Sequence, residues 1–561
     1  MVNHLKTYIG SRRKLRWFLL YLFFACLCCW AAVLFFIYYR EKYIKNNTQN
    51  DTASEQSGMN IPYFNLNESH FYTAAVIDYD TLLRNDVVST WKTNIQNYID
   101  IIAECSKHMV DIVVFPEGGI HGYAPMGRYT ALLTSSYVPS VHQFIVPCHH
   151  KDYEENALHY FSCAAKENNL YVAVNLIEKV SSPRSFTWDG HLLYNTEVVF
   201  DRNGMVIARY RKYNLYTEKW GYEISSPDKP ELVTFTTDFG VEFGVFTCFD
   251  IFFDEPALEL VKKRKITHFI HSSQMMTRLP FLTASSVEFG WSFALDVIVL
   301  SSSNPYPKYT IGTNVYFGRL QGTRTYIKPF RTSTIIISPV PINPHLTSPQ
   351  YPDEYRSLQK YTPRNARPTS FLVEHVLNRM TTKPLIMFKN NTSNFTYKKA
   401  TFECNISASW KQPGFIPNYQ FIAYAGLNNY SVAAINNYVE ICGLVLCSRT
   451  TYSSCLQPAY FEDALKMVFE SVNVSTRSTS LDSVRIPTAF DSNLVALDGS
   501  NFHFSSHHEE YGGKIVNCVD MRLKHSRANL HTFGVYKFSS KSTPISYFNQ
   551  FDNVMNLDMI M

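Results

Sequence analysis

Charged residues are scarce in this chain, because Asp, Glu, Lys and Arg together make up only 18% of its 561 residues. Hydrophobic residues make up 46%, which excludes an intrinsically disordered chain and is enough for a large buried core. The net charge of +5 is small for this length and does not indicate a nucleic-acid-binding protein. The length favours two or more domains.

Two motifs of ligand-binding enzymes are also missing. The chain has neither the phosphate-binding sequence Gly-x-x-x-x-Gly-Lys nor the zinc-binding sequence His-Glu-x-x-His. Cys148-His149-His150 and His503-x-x-x-His507-His508 contain residue types that bind metals. The second group has an i, i+4 pair that would share one face of a helix, but a third ligand is not evident. We therefore expect no metal site.

Charge is absent altogether from residues 17–39, where Phe, Leu, Cys, Ala and Tyr dominate. A helix of this length spans roughly 34 Å, enough to cross the hydrocarbon core of a membrane. Residues 1–16 before it contain basic residues and no acidic ones, which predicts a cytoplasmic tail and a single-pass type II anchor. A cleaved signal peptide is the alternative, although its apolar core is normally only about 7–15 residues long. Both interpretations put the rest of the chain outside the cytosol.

Glycosylation sequons and cysteines agree with an extracellular or lumenal location. Asn-x-Ser/Thr sequons begin at Asn46, Asn50, Asn67, Asn390, Asn391, Asn394, Asn405, Asn429 and Asn473. Of the 12 cysteines, three lie in the apolar segment and Cys248 is a candidate nucleophile. The other eight are Cys105, Cys148, Cys163, Cys404, Cys442, Cys447, Cys455 and Cys518. This even number predicts up to four disulfide bonds, with Cys148–Cys163 suggested by proximity.

The chain divides into segments that differ in composition and hydrophobic pattern. Residues 40–70 are polar and predict a stalk, whereas residues 71–340 alternate apolar strand-like runs with helix-length stretches, which is typical of a layered α/β domain. Residues 341–561 contain most of the sequons and cysteines and predict a smaller β-rich domain. The predicted strands of the α/β domain are Tyr72–Ile77, Asp111–Phe115, Leu170–Ile177, Val241–Cys248, Thr267–His271 and Val297–Ser302, with a hairpin at Asn195–Arg211 and helices at Val87–Met109, Glu154–Lys166, Glu255–Lys263 and Leu282–Leu295.

Three of the apolar runs end in residues with reactive side chains, namely Glu117, Lys212 and Cys248. Sites in α/β sheets form at the carboxyl ends of strands, so the three side chains are expected to meet. A thiol has a pKa near 8.5 and needs a base or a positive charge to become a nucleophile. Glu117 is suited to accept the proton, and Lys212 to stabilise the oxyanion of a tetrahedral intermediate.

Each of the three residues also has a simple structural interpretation. A carboxylate after a strand usually caps a helix or faces solvent, and a lysine beside two arginines usually contributes surface charge. A cysteine after an apolar strand is more often a core thiol or a disulfide partner. Taken singly, none of them identifies an active site.

The sequence around the three residues resembles the nitrilase superfamily of carbon–nitrogen hydrolases, most closely its vanin and biotinidase branch. The resemblance rests on Val-Val-Phe-Pro-Glu-Gly-Gly-Ile-His-Gly-Tyr at 113–123, Ala-Arg-Tyr-Arg-Lys-Tyr-Asn-Leu-Tyr at 208–216 and Phe-Gly-Val-Phe-Thr-Cys-Phe-Asp-Ile-Phe-Phe at 243–253. It implies an α-β-β-α sandwich with a β-rich domain after it. It also implies a Glu117–Lys212–Cys248 triad, with Glu218 as an auxiliary glutamate.

The activity that the resemblance implies is hydrolysis of a linear, pantetheine-like carboxamide through a thioester on Cys248, without a cofactor. A biotinidase-like amidase is the alternative within this class. The stretch 271–276 departs from the Thr-Ala-Trp-Met segment of vanins, which puts pantetheine specificity in doubt. The same departure motivates an alternative that is not an enzyme, namely an inactive glycosylated surface protein. We expect a small-molecule amide and the membrane as partners, and no nucleic acid. The oligomeric state does not follow from the sequence.

Overall fold

The first described strand packs against a different core on each of its two faces. In β1 (Phe71–Asp78), Tyr72, Ala74 and Val76 point into a core shared with a second sheet, whereas Ala75 and Ile77 point toward helices. Successive side chains of a strand point to opposite faces, so a strand covered on both faces is apolar throughout. This explains why the sequence shows continuous apolar runs rather than alternation.

The structure is a computed structural model that describes a large part of the chain. The described residues are 70–122, 127–182, 187–216, 223–281, 283–304, 312–320, 333–345, 356–361, 372–373, 379–385, 391–399, 401–411, 418–430, 435–447, 455, 467–492 and 494–540. The predicted cytoplasmic tail, the predicted anchor at 17–39 and almost all of the predicted stalk lie outside these residues. Within them, no helix combines the length and apolar character needed to cross a membrane.

The α/β part contains two stacked sheets. The first sheet has the strand order β13-β12-β1-β2-β3-β4-β5, and the second has the order β11-β10-β8-β7-β6. Besides β1, these strands are β2 (Ile112–Val114), β3 (Tyr171–Ser181), β4 (His191–Phe200), β5 (Val206–Arg211), β6 (Thr234–Thr236), β7 (Glu242–Thr247), β8 (His268–Ser273), β10 (Ile298–Ser303), β11 (Asn314–Phe317), β12 (Ser333–Pro341) and β13 (Arg356–Tyr361). In the first sheet β1, β2 and β3 are parallel, and in the second β7, β8 and β10 are parallel.

Helices cover the outer face of each sheet. The helices are α1 (Val87–Lys107), α2 (Arg128–Thr134), α3 (Ala157–Asn168), α4 (Glu259–Arg264) and α5 (Thr283–Leu295). Residues of α1 and α3 pack on the first sheet, and residues of α4 and α5 pack on the second. The predicted α-β-β-α sandwich is therefore confirmed, as are its six strands and the hairpin. The predicted helix Glu255–Lys263 begins only at Glu259, because Glu255 precedes Pro256 and has extended backbone angles.

The C-terminal part is a sandwich of two further sheets. The inner sheet has the order β15-β18-β19-β25-β21 and the outer sheet β16-β17-β20-β23-β22, with β24 paired to β20. The strands are β15 (Thr381–Pro384), β16 (Thr392–Lys399), β17 (Phe402–Trp410), β18 (Asn418–Tyr430), β19 (Ile435–Cys447), β20 (Val468–Ser478), β21 (Arg485–Asp491), β22 (Phe502–Tyr511), β23 (Lys514–Leu523), β24 (Arg527–Ala528) and β25 (Leu530–Ser540). A short parallel pair, β9 (Arg278–Leu279) with β14 (Leu372–Val373), forms a separate two-stranded sheet. The prediction of a β-rich second domain is confirmed.

Close backbone packing joins the inner C-terminal sheet to the α/β part. Gly443 and Gly534 lie opposite each other on β19 and β25, and a Cβ atom on Gly443 would lie 3.2 Å from the ring of Phe281. A Cβ atom on Gly290 of α5 would lie 2.4 Å from the carbonyl oxygen of Pro487 on β21. Glycine is therefore required at this junction, because a side chain there would push the two parts apart.

Six of the eight cysteines predicted to pair form disulfide bonds in the described part of the chain. The described residues contain the disulfide bonds Cys148–Cys163, Cys404–Cys442 and Cys447–Cys455. Cys404–Cys442 joins the outer sheet to the inner sheet of the C-terminal sandwich. The pairing Cys148–Cys163 suggested by proximity is confirmed, and the three bonds agree with the prediction of up to four. Cys105 and Cys518 are buried and belong to none of these three bonds. An even count shows only that complete pairing is feasible, since pairing also requires close Cβ atoms.

Candidate active site

The three predicted reactive side chains meet in the interior of the sandwich. Glu117 follows β2 and Lys212 follows β5 in the first sheet, whereas Cys248 follows β7 in the second. Their residues are only 1%, 1% and 6% exposed, respectively. The simple interpretations of Glu117 and Lys212 as solvated surface charges are therefore wrong.

Glu117 and Lys212 form a buried ion pair. Lys212 Nζ donates a hydrogen bond to Glu117 Oε1 at 2.7 Å. Asn195 Nδ2 donates to the same oxygen at 2.8 Å, and the Asn195 carbonyl oxygen accepts the backbone N–H of Lys212. Asn175 in turn donates to Asn195 Oδ1 at 2.7 Å and accepts the backbone N–H of Gly118 at 3.0 Å. Two asparagines on β3 and β4 thus fix both charged groups.

Cys248 is a free thiol in an unusual backbone conformation. Its φ of 47° lies in the left-handed region, and the residue begins a short 3₁₀ helix, Cys248–Phe252. The thiol hydrogen-bonds to Glu117. Burial and the negative charge of Glu117 hold the pKa of Cys248 well above its ordinary value, although Lys212 and the backbone N–H of Gln274 act in the opposite direction. Burial and Glu117 therefore outweigh the effect of Lys212, so that the resting thiol keeps its proton at neutral pH.

Comparison with known protein families adds a second kind of evidence. The family described as Carbon-nitrogen hydrolase matches residues 73–282, and that described as Vanin C-terminal domain matches residues 370–543. Vanin-like protein 1 of Drosophila melanogaster is 31% identical, over 84% of this chain and 86% of that protein. The chain belongs to the vanin family of carbon–nitrogen hydrolases.

Two further relatives have names that state an activity. Human pantetheinase is 27% identical over 68% of this chain and 75% of its own length. Mouse biotinidase is 31% identical over 43% of this chain and 48% of its own length. The present protein is thus a vanin-family hydrolase of carbon–nitrogen bonds other than peptide bonds.

Asp250 connects the loops that carry Lys212 and Cys248 in this vanin-family site. Its Oδ2 accepts hydrogen bonds from the hydroxyl of Tyr210 at 2.6 Å and from the backbone N–H of Thr247 at 3.1 Å. Its Oδ1 accepts from the backbone and the side chain of Asn214, at 2.9 and 2.8 Å. Burial raises the pKa of Asp250 to about 6, so these donors surround a carboxylate that is mostly ionised at neutral pH.

His271 forms a hydrogen bond with the backbone of Cys248. Its Nε2 lies 3.2 Å from the carbonyl oxygen of Cys248, and its Nδ1 lies 3.1 Å from Ser301 Oγ. A carbonyl oxygen can only accept, so Nε2 must carry the proton. Burial lowers the pKa of His271 to about 4, which keeps the ring neutral. His271 belongs to the stretch that departs from the vanin pattern, and it supports the cysteine rather than facing solvent.

The C-terminal part reaches the same loop. The ring of Phe538 on β25 lies 4.2 Å from that of Phe252 and 5.9 Å from that of Phe249, centroid to centroid. Both partners belong to the 3₁₀ helix that begins at Cys248. The conformation of the cysteine loop therefore depends on residues almost 300 positions away in the sequence.

A second glutamate, Glu197, lies near the ion pair but carries a proton at neutral pH. Ser272 Oγ is 2.7 Å from the carbonyl oxygen of Phe115 and 2.9 Å from Glu197 Oε1. The hydroxyl has one proton, which the carbonyl needs, so Glu197 must donate in the other bond. Burial raises the pKa of Glu197 to about 8, and the charge of Glu117 acts in the same direction. Glu197 therefore adds no second negative charge beside Glu117.

The other sequence predictions have mixed outcomes. Glu218 lies outside the described residues, as do Asn46, Asn50, Asn67 and Asn390. The side chains of Asn391, Asn394 and Asn473 are exposed and that of Asn405 is partly buried, whereas for Asn429 only the backbone is described. Cys148 is held in a disulfide bond, which removes the thiol ligand from the group Cys148-His149-His150.

Five supporting residues were missed by sequence reasoning, namely Asn175, Asn195, Glu197, Asp250 and His271. Each is a polar residue in or next to an apolar strand, and this is the one signal that would have found them. A buried polar side chain needs a partner, so its presence in such a run indicates a hydrogen-bonded site.

The protonation of Glu197 predicts an unusual dependence of stability on pH. Its pKa in the folded protein exceeds the ordinary value of 4.5, so the folded state binds the proton more tightly than the unfolded state. The stability that this proton provides is complete below about pH 4.5 and is lost as the pH rises through about 8. We expect the melting temperature to fall between about pH 4.5 and 8, and to fall less steeply in Glu197→Gln.

Glu178→Gln is the matched control for that measurement. Glu178 is also a buried glutamate, but it forms an ion pair with Arg211 at 2.6 Å. Its replacement should lower the melting temperature throughout the same pH range without changing the slope. Equal slopes for the wild type and Glu197→Gln would contradict the assignment of the proton to Glu197.

Proposed function

We propose that this protein is a membrane-anchored, glycosylated ectoenzyme that hydrolyses a linear, pantetheine-like carboxamide, with Cys248 as nucleophile, Glu117 as proton acceptor and Lys212 as oxyanion stabiliser. The observation that carries the proposal is the convergence of a thiol, a carboxylate and an ammonium group from three strand ends in one buried cluster. Isolated charged groups are costly to bury, and this pair is retained next to a free thiol.

In the first half of the reaction the thiol becomes a thioester. Glu117 accepts the proton of the Cys248 thiol while the sulfur attacks the carbonyl carbon of the amide. The ammonium group of Lys212 stabilises the negative oxygen of the tetrahedral intermediate. When the carbon–nitrogen bond breaks, Glu117 returns the proton to the nitrogen, and the amine leaves.

In the second half water releases the acyl group. Glu117 takes a proton from a water molecule, and the oxygen attacks the thioester carbonyl carbon. The carbon–sulfur bond breaks, the proton returns to the sulfur, and the carboxylic acid leaves. Lys212 stabilises the oxyanion again, and the side chains end in their starting states. No cofactor takes part in this scheme.

Because the resting thiol is neutral, two assays can separate the role of Glu117 as the base from its effect on the pKa of Cys248. Glu117→Gln should lower amide hydrolysis about 10²–10⁴-fold, because no base remains to accept the proton. The same change removes a negative charge that raises the pKa of Cys248. At neutral pH, alkylation of Cys248 by a neutral reagent such as iodoacetamide should therefore become faster than in the wild type.

Peptide mapping by mass spectrometry should follow this alkylation, with Cys248→Ser as the control that identifies the modified residue. Cys105 and Cys518 provide internal references, since they lie outside the cluster. If Glu117→Gln slowed hydrolysis and alkylation alike, Glu117 would position the loop rather than act as the base.

The names of two relatives support the proposed substrate class, and a direct assay tests it. Two relatives are named pantetheinase and biotinidase, so release of cysteamine from pantetheine and of lysine from biocytin should be compared. We expect cleavage of pantetheine by the wild type and loss of at least about 10³-fold of the rate in Cys248→Ala. Preference for biocytin would indicate a biotinidase-like enzyme, and hydrolysis that survives Cys248→Ala would exclude the mechanism.

An inactive surface protein is the remaining alternative, motivated by the altered stretch 271–276. The His271 ring hydrogen-bonds to the carbonyl oxygen of Cys248, and the backbone N–H of Gln274 hydrogen-bonds to its sulfur. An inactive protein would have no chemical need for the three side chains together. Failure of the wild type to cleave either amide, together with slow alkylation of Cys248 in both wild type and Glu117→Gln, would favour that alternative.

Surface sequons support the proposed extracytoplasmic location. Asn394, Asn405 and Asn473 lie on neighbouring strands of the outer C-terminal sheet and line the same concave outer face. Sequons are absent from residues 71–340, which form most of the layered α/β part. The proposed anchor at 17–39 would leave this whole region on the extracellular or lumenal side.

Glycosylation of the outer face is directly measurable. Peptide-N-glycosidase treatment of the chain expressed in animal cells should lower its mass, with glycan at Asn473. Asn473→Gln and Ser475→Ala should remove the same glycan, since the second variant destroys the sequon but keeps the asparagine. A chain without any glycan would contradict the proposed location and leave the hydrolase chemistry untouched.

A further inference from the structure

The outer C-terminal sheet contains a cluster of metal-ligating side chains that the hydrolase chemistry does not use. Strands β22 and β23 form a hairpin whose turn, Gly512-Gly513, has positive φ at both residues. The register sets His507 directly opposite Cys518, and Glu509 lies two residues further along β22 on the same face. A nitrogen, a carboxylate oxygen and a sulfur from these three residues all lie within 4.8 Å of one another.

The separations suit coordination of one small cation. His507 Nε2 lies 3.9 Å from Glu509 Oε2. Ligands on a tetrahedral zinc ion, with bonds of about 2.0–2.3 Å, are about 3.3–3.8 Å apart. Small rotations of two side chains would therefore bring the atoms into range. His507 is exposed, so an ion can enter from solvent, whereas Cys518 forms the buried base of the cluster.

Arg477 orients the carboxylate from the other side. Its Nε donates to Glu509 Oε1 at 3.0 Å, which leaves Oε2 directed toward His507. The guanidinium group also hydrogen-bonds to Cys518 and lies 5.2 Å from the ring centroid of Tyr511. Carboxylates that bind metals are normally held by such a hydrogen bond on their second oxygen. Arg477 and Glu509 are both partly exposed, so the guanidinium can move as the ion enters.

We propose that His507, Glu509 and Cys518 form a site for a borderline-soft divalent transition ion of the zinc class, with solvent as the fourth ligand. The donor set favours this class, because thiolate and imidazole select zinc-like ions over calcium and magnesium. Binding replaces the Cys518 thiol proton by the metal: the sulfur–hydrogen bond breaks, the sulfur–metal bond forms, and the proton goes to solvent. The thiolate and the carboxylate balance both charges of the ion.

The proposed site differs from the expectation, drawn from the sequence, that the protein has no metal site. The pattern His503-x-x-x-His507 would place two histidines on one face of a helix, but both residues lie on a strand. At about 3.3 Å per residue they are about 13 Å apart, too far to share one ion. His507 instead meets a cysteine 11 residues later in the chain, which only the hairpin register reveals.

Cobalt is a suitable probe, since a thiolate ligand gives Co²⁺ a charge-transfer absorption. The full chain carrying Cys248→Ala should be titrated with Co²⁺, so that the active-site thiol does not contribute. We expect one bound ion per chain with the charge-transfer band, and displacement of that band by Zn²⁺. Cys518→Ser should abolish the band, and His507→Ala and Glu509→Gln should each weaken binding at least about tenfold.

His503→Ala is the matched control, because His503 is an exposed histidine on the same face of the same strand, outside the cluster. It should bind Co²⁺ with unchanged affinity. Absence of the band in the parent protein, or its persistence in Cys518→Ser or His507→Ala, would overturn the proposal. Far-ultraviolet circular dichroism of each variant establishes that the sandwich is intact, so that loss of binding refers to the site.

Discussion

The pairing of Glu117 with Lys212 inside the protein sets conditions that the surrounding residues must meet. Removing two charged groups from water costs several kcal/mol per ion, and their attraction offsets this cost only with good geometry and further hydrogen bonds. Asn195 supplies such a bond to the carboxylate and also accepts the backbone N–H of Lys212. A second anion close by would upset this balance, and Glu197 avoids doing so by remaining protonated.

The same constraint explains the state of the cysteine. A thiolate beside Glu117 would place two negative charges against one ammonium group in a buried region. In the proposed mechanism the proton therefore remains on the sulfur until a substrate carbonyl can take up the developing charge, and the left-handed backbone of Cys248 keeps the thiol in reach of Glu117. Asp250 accepts the backbone N–H of Thr247, and His271 donates to the carbonyl oxygen of Cys248. These two hydrogen bonds fix the strained loop.

Much of the architecture was predictable, because apolar runs, turn residues and strand ends are local in the sequence. The order of strands and helices and the gathering of Glu117, Lys212 and Cys248 followed from these signals. The residues that orient the three side chains did not, because Asn195, Asp250 and His271 act across separate elements. The complete cysteine pairing was not predictable for the same reason: Cys105 and Cys518 belong to different parts of the fold, and a count of cysteines contains no distances.

The contact between Phe538 and the helix that begins at Cys248 has a consequence for how this protein loses activity. Phe538 sits on a central strand of the inner C-terminal sheet, and its aromatic partners directly follow the reactive thiol. Partial opening of that sheet, by heat or by a protease that cuts the C-terminal part, would release the cysteine loop before the α/β layers unfold. Thermal inactivation would then report the local stability of the C-terminal sandwich, and the enzyme would stop working while most of its ordered structure was still intact.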